Sequence, residues 1–330
     1  MSNFLTKARK QAGQSIKNAL GSVASDEKSL LLSGAIASRQ VRAMREIRTL
    51  ADVEFRVYSQ WGEDGILDWI IEQCDGIPQS FIEFGVESYA EANTRFLLQN
   101  RNWRGMVIDG RDELPAVVAA QDISWRHDIT PVSAFITAEN INQLFAGAGF
   151  SGEIGVLSVD IDGTDYWVWK AINTVDPWII VAEYNSAFGD LVPLTIPYRT
   201  DYVRAQSGMG KLFYGASIAA FDGLANERGY VRLGANSNGS NVFYARNDIA
   251  GILLPKIGST AVLPSRFRET TAQPGAIERL SGARRYDVLA EQVVVDLRNG
   301  QEVALGQLKG LFSDAWLAHL SGASSAPRKL

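Results

Sequence analysis

The sequence predicts an α/β protein with a mostly parallel sheet, helices on both faces and an antiparallel hairpin at its C-terminal end. Two observations carry this. Between residues 79 and 184, short continuous apolar runs alternate with helix-like stretches, the pattern of parallel strands buried on both faces. Farther on, two strand-like runs flank the turn-rich Asn236-Ser-Asn-Gly239, which reads as a hairpin.

In chain order, residues 80–84 read as a strand, 92–99 as a helix, 106–109 as a strand and 114–120 as a helix. A third strand is expected near 124–127 and a helix around 138–146. Then come a strand at 155–159, a helix at 166–173 and a strand at 178–183. Residues 185–211 form a long loop-like region with Pro193 and Pro197, followed by a helix at 216–228 and the hairpin strands at 230–234 and 241–245. Residues 1–56 form a basic helical extension, broken near Gly21, in which Lys7, Arg9, Lys10, Lys17, Arg39, Arg42 and Arg45 stand among many alanines and leucines. Such a segment can lie on an anionic membrane, but more often it docks on its own protein or on a neighbouring subunit. Three parts result: the extension 1–56, a main domain 57–250, and a C-terminal extension 251–330 whose last ten residues are expected to be disordered.

Bulk properties narrow the function. A chain of 330 residues with 46% hydrophobic and 21% charged residues is expected to fold as one large domain with extensions. A net charge of -5 gives no field that would gather nucleic acid. Cys74 is the only cysteine, so the chain can form no internal disulfide and no cysteine zinc site. With two histidines in the sequence, a metal would have to be held by oxygens. No apolar run reaches the ~18 residues of a membrane span, and no signal-peptide pattern is present, so the cytoplasm is the expected compartment.

Ligands of an open parallel sheet bind beyond the carboxyl ends of its strands. Acids fall there repeatedly: Glu83, Asp109, Asp128, Asp160 with Asp162, and Glu183. One such acid is commonly a helix cap, but five successive strand ends are harder to dismiss. The first turn carries a single glycine, Gly85, and neither G-x-G-x-x-G nor a phosphate-cradling G-x-x-x-x-G-K-[ST] is present. An acid ending the second strand suits ribose hydroxyls, so an adenosine-containing ligand without a demanding phosphate cradle fits.

Several motifs carry a family resemblance. They are Tyr58-Ser-Gln-Trp-Gly-Glu-Asp-Gly65, Phe81-Ile-Glu-Phe-Gly85, Asn93-Thr-Arg95 and Trp103-Arg-Gly-Met-Val-Ile-Asp109, then Ser158-Val-Asp-Ile-Asp-Gly-Thr-Asp-Tyr-Trp167, Ala182-Glu-Tyr-Asn185, Tyr214-Gly-Ala-Ser217 and Asn238-Gly-Ser-Asn-Val-Phe243. In this order, over residues 57–250, the chain resembles class I S-adenosylmethionine-dependent methyltransferases, and among them the FkbM-like group. The resemblance implies a Rossmann-like methyltransferase sheet. It also implies that Glu83 and Gly85 line the methionine end of S-adenosylmethionine, that Asp109 holds the ribose, and that His127, Asp128 and Ile129 border the adenine. Gln60 and Glu63 would close the site from the N-terminal side. The usual glycine-rich turn is reduced here to Gly85, followed by Val86 and Glu87.

The run Asp160-Ile-Asp-Gly-Thr-Asp165 concentrates charge beside Glu183 and Asn185. Hard cations such as Mg²⁺ or Mn²⁺ favour these oxygens, which makes Asp162, Glu183 and Asn185 candidate ligands. Asp160 or Asp165 is the candidate base for an acceptor hydroxyl, and Asp160 could also hold the cofactor's amino group. Asp165 could equally cap the helix that follows. Tyr198, Tyr202 and Tyr214, with Arg199, Arg204 and Lys211, suit an anionic or nucleotide-linked glycan. The expected activity is O-methylation of a sugar or glycan hydroxyl, the terminal extensions serving homo-oligomerisation or substrate enclosure. A glycosyltransferase using Asp160 and Asp162 as a D-x-D, and a non-catalytic binding protein on the same scaffold, are the alternatives.

Overall fold

In the computed structural model, which describes residues 27–207, 211–265, 280 and 282–320, the apolar runs become a sheet buried on both faces. Helices α1 (27–42) and α2 (Glu63–Glu72) precede β1 (Ser80–Phe84). There follow α3 (Arg95–Arg101), β2 (Arg104–Asp109), α4 (Leu114–Ala119), α5 (Ile123–Arg126), β3 (Ile129–Ser133), α6 (Ile141–Gly147), β4 (Gly152–Val159), α7 (Asp165–Ala171) and β5 (Val175–Glu183). After β6 (Leu194–Thr195) come α8 (Ile218–Glu227), β7 (Tyr230–Ala235), β8 (Asn241–Arg246), α9 (Asn247–Leu253), α10 (Arg284–Leu289), β9 (Val293–Asp296), β10 (Gln301–Ala304) and α11 (Asp314–Leu320). The expected break near Gly21 and the tail 321–330 lie outside the described residues.

The main sheet runs β3-β2-β1-β4-β5-β8-β7, with β8 antiparallel to both of its neighbours, and is Rossmann-like. Alternation within the strands divides the core. Phe81, Val107, Val156, Ile179, Val181 and Phe243 enter one cluster, while Ile82, Ile108, Leu157, Ile180 and Val242 enter the other. Each such side chain contributes roughly 1.5–3 kcal/mol by leaving water. The chain winds outward from β1 to β3, then returns to lay β4 against β1. That reversal opens a crevice at the carboxyl ends of β1 and β4.

The third strand departs from the sequence expectation. Residues 123–126 are a helical turn, and the strand is β3, five residues farther on and containing Pro131. Proline cannot donate to a ladder, and β3 tolerates it because it is the edge strand. The correction moves two predicted cofactor residues. Ile129 pairs with Gly105 at the start of β2, whereas Asp109 pairs with Ser133. Asp128 and Ile129 therefore lie at the amino ends of the strands, across the sheet from the crevice.

Arg42 of α1 and Arg101 of α3 both pair with the buried Asp68 of α2, at 2.9 and 2.7 Å, so α1 docks on its own protein. The C-terminal segment is tied in as well: β9 joins β6 and β10 in a small antiparallel sheet. No helix among the described residues is long and apolar enough to cross a membrane.

Candidate functional site

A cleft of about 240 Å³ lies beyond the ends of β1, β2 and β4, lined by residues that include Gly85, Asp109, Phe135, Asp160, Asp162 and Tyr202. Gly85 makes it possible. Its φ is +68°, and a Cβ there would stand 1.9 Å from the carbonyl oxygen of Asp160. The turn continues through Glu87 and Tyr89, both also at positive φ. Such strain survives only where surrounding bonds impose it. One of these bonds runs from the Glu87 N–H to Asp109 Oδ2, at 2.8 Å. The Arg111 N–H donates to Asp109 Oδ1 at 3.0 Å, so each Asp109 oxygen has accepted one backbone amide and keeps a lone pair.

On the opposite wall, Asp160, Asp162 and Glu183 bring carboxylate oxygens within 4.8 Å of one another. Asp162 reaches this position with φ +55°. Arg204, from the loop before α8, pairs with Asp162, comes within 4.0 Å of Glu183 and stacks 3.8 Å over the Tyr214 ring. Burial first, and then the charge of Asp165, pushes the Asp160 carboxyl up to about 7, against the pull of Arg204. Burial and the neighbouring Asp160 hold Glu183 well above the usual carboxylate range, while the Tyr214 hydroxyl opposes them by hydrogen bonding to it. Two carboxyls this close share a proton rather than both ionising.

The remaining predicted residues have other partners. Asp165 Oδ1 accepts the Ile161 N–H at 2.7 Å and Oδ2 accepts the Gly163 N–H at 2.9 Å, so it holds the turn carrying Asp160 and Asp162 instead of facing the cleft. The Asn185 amide accepts from Ala187 N–H and donates to the carbonyls of Leu212 and Tyr214, which ties it to the loop leading to α8. Glu83 is buried and accepts from Asn93 N–H, Thr94 N–H and the Thr94 hydroxyl, thereby fixing the entry to α3. Glu63 is saturated by the amides of Trp61 and Gly62 and the side chains of Asn236 and Asn241, tying α2 to the hairpin. Gln60 is exposed. Among the described residues, none of these five lines the cleft. His127 bonds Asn102 at 3.0 Å, on the far edge of the sheet.

Of the predicted residues, the structure thus brings Gly85, Asp109, Asp160 and Asp162 to one cleft, with Glu183 against the last two. It adds an apolar wall the sequence reading missed, Ala134, Phe135 and Ile136 after β3. Placing the third strand at 129–133 would have revealed it. Tyr166, Trp169, Tyr184 and Phe188 belong to the core, while Tyr202 covers Gly163, where a Cβ would meet its ring at 2.8 Å.

No protein-family model and no curated protein matches the chain. Among solved structures, it is similar to an O-methyltransferase family protein from Burkholderia thailandensis at 14% identity and TM-score 0.33, over 56% of this chain and 59% of that one. It is also similar to an S-adenosylmethionine-dependent methyltransferase from Clostridium acetobutylicum at 11% identity and TM-score 0.35, over 57% and 92% of the two chains. Human N-acetylserotonin methyltransferase in complex with S-adenosylmethionine aligns at 11% identity and TM-score 0.31, over 56% of each chain. None of these likenesses assigns a role to a residue of this chain.

Proposed function

We propose that the protein is an S-adenosylmethionine-dependent O-methyltransferase acting on a hydroxyl of a sugar or glycan. The supporting observation is that Asp109 and Asp160 face one cleft at the switch point, the first with free lone pairs and the second with a carboxyl raised to about 7. The lining fits the cofactor. Asp109 can accept from two ribose hydroxyls, Ala134, Phe135 and Ile136 offer an apolar wall for a purine, and Gly85 keeps the floor free of a side chain.

When bound, the cofactor supplies an electrophilic methyl group. The chain's own residues supply the rest. Asp160, deprotonated above its raised pKa, accepts the proton that the acceptor hydroxyl loses, and Glu183 shares that proton. Asp165 fixes the turn that aims Asp160, and Tyr202 covers the turn from the solvent side. Asp160, Asp162 and Glu183 are also a donor set suited to Mg²⁺ or Mn²⁺, which would lower the acceptor's pKa and requires Arg204 to withdraw from Asp162. The same trio favours a second reading, a glycosyltransferase that holds a metal and a sugar nucleotide.

Calorimetric titration of S-adenosylmethionine into the wild type and Asp109→Ala tests the proposal. Micromolar binding that weakens by about a hundredfold, the worth of two charge-assisted hydrogen bonds, is the expected result. Binding of UDP or GDP with none of S-adenosylmethionine would replace it with the second reading.

A further inference from the structure

Helix α1 docks with one face and leaves the other to solvent. Gly34, Ser38 and Val41 are buried, and at Gly34 a Cβ would meet Val57 and Phe96 at 2.5 and 2.9 Å. Leu31 packs against the same pair. The outward face of such a helix is ordinarily polar. Here Leu32 is 65% and Ile36 52% exposed. At about 100° per residue, Lys28, Leu32, Ile36 and Arg39 fall within one arc of about 80°, so an apolar centre carries a cation at each end.

The cations of this region lack partners. Among the described residues, six lysines and arginines are exposed without an ion pair, side-chain hydrogen bond or ring contact. Two are Lys211 and Lys309; the other four, Lys28, Arg39, Arg45 and Arg56, lie together in this early part of the chain. Exposed arginines elsewhere are paired, as Arg104 is with Asp128, Arg111 with Glu87 and Arg298 with Asp296. Residues 1–56 hold ten basic and five acidic residues, against 32 and 37 in the whole chain. The face therefore fits an anionic partner. A second copy does not fit, because two-fold antiparallel pairing of this row with itself would set Lys28 against Arg39 of the other copy. Nucleic acid would meet the cations and leave Leu32 and Ile36 in water, whereas a lipid headgroup region takes both.

We propose that α1 docks the protein on an anionic phospholipid membrane, with Leu32 and Ile36 entering the interface and the four unpaired cations meeting lipid phosphates. The place of α1 gives this docking a consequence. Arg95 binds Glu27, the first residue of α1, at 3.0 Å, and also donates to the Tyr89 carbonyl in the turn that begins at Gly85. The helix thus starts beside one wall of the cleft, and docking holds the cleft near the lipid surface. Under the methyl-transfer reading this favours acceptors carried on lipid; the docking itself does not depend on that reading.

The test co-sediments the full chain with vesicles of phosphatidylcholine alone and of phosphatidylcholine with about one third phosphatidylglycerol. The wild type is expected to sediment with the anionic vesicles, to leave them as salt rises, and to ignore the neutral ones. Leu32→Gln with Ile36→Gln, and separately Lys28→Gln with Arg39→Gln, are each expected to lower the partition coefficient about tenfold or more. Their Tm should hold, since all four side chains are exposed. Lys309→Gln, which removes an unpaired cation outside this face, should bind as the wild type does. Absence of the wild type from the anionic pellet, or equal partition by all variants, would overturn the proposal. So would a dimer in equilibrium sedimentation that Leu32→Gln dissociates, because the face would then belong to a second copy. S-Adenosylhomocysteine is titrated alongside; vesicle binding by a protein that does not bind it would uphold the docking and sink methyl transfer instead.

Discussion

Substituting Gly85 by alanine probes the geometry on which the site depends. The added Cβ would lie 1.9 Å from the Asp160 carbonyl oxygen and 3.0 Å from its carbon, where ordinary contact begins at 3.4 Å. Both obstacles are backbone, so no side chain can swing away. The left-handed φ of +68° adds about 1–2 kcal/mol for any residue with a Cβ. Relief requires the turn at 160–163 to move against the two amide bonds to Asp165, of 2.7 and 2.9 Å. Bonds to a charged acceptor are worth roughly 1.5–3 kcal/mol each. Losing one of them and adding the backbone cost gives about 3–5 kcal/mol of destabilisation. A shift of ~1 Å between Asp109 and Asp160 would also cost about a hundredfold in turnover. Gly76 provides the control, since its φ is +75° and a Cβ there meets nothing within 4 Å. Urea unfolding followed by tryptophan fluorescence should show Gly76→Ala paying only the backbone cost and Gly85→Ala far more. Equal midpoints for the two variants would refute the close approach of β1 to the Asp160 turn.

Asp160 acts as a base only when deprotonated, so with its carboxyl near 7 the methyl-transfer rate should rise with pH through about 7 and level off above it. In Asp160→Asn that titration should vanish along with roughly 10²–10⁴-fold of the rate, and a variant retaining the profile would assign the base elsewhere. Arg204→Ala removes the cation paired with Asp162, so calorimetry should find Mn²⁺ bound more tightly than by the wild type; no binding by a folded variant would end the metal assignment. Cys74 is buried and its thiol is pushed up to about 12, chiefly by burial, so a disulfide reagent should label it only after denaturation. Rapid labelling of the native protein would contradict the packing around α2.

The alternation of apolar runs and helical stretches determined the α/β class, the hairpin and the strand ends at Asp109, Asp160 and Glu183, because periodicity and strand termini are local properties. Even there, Pro131 hid the third strand, since only the sheet order reveals that β3 is an edge where a missing N–H does no harm. A carboxylate's role was beyond the reach of local pattern. Glu63, Glu83 and Asp165 look in sequence like Asp109 and Asp160, yet Glu63 is saturated by four donors, two of them far along the chain, and Glu83 and Asp165 are buried on backbone amides away from the cleft. Sequence fixes which groups a chain owns; which of them keep a free lone pair or an unpaired N–H is decided by donors and acceptors that only the folded chain brings together.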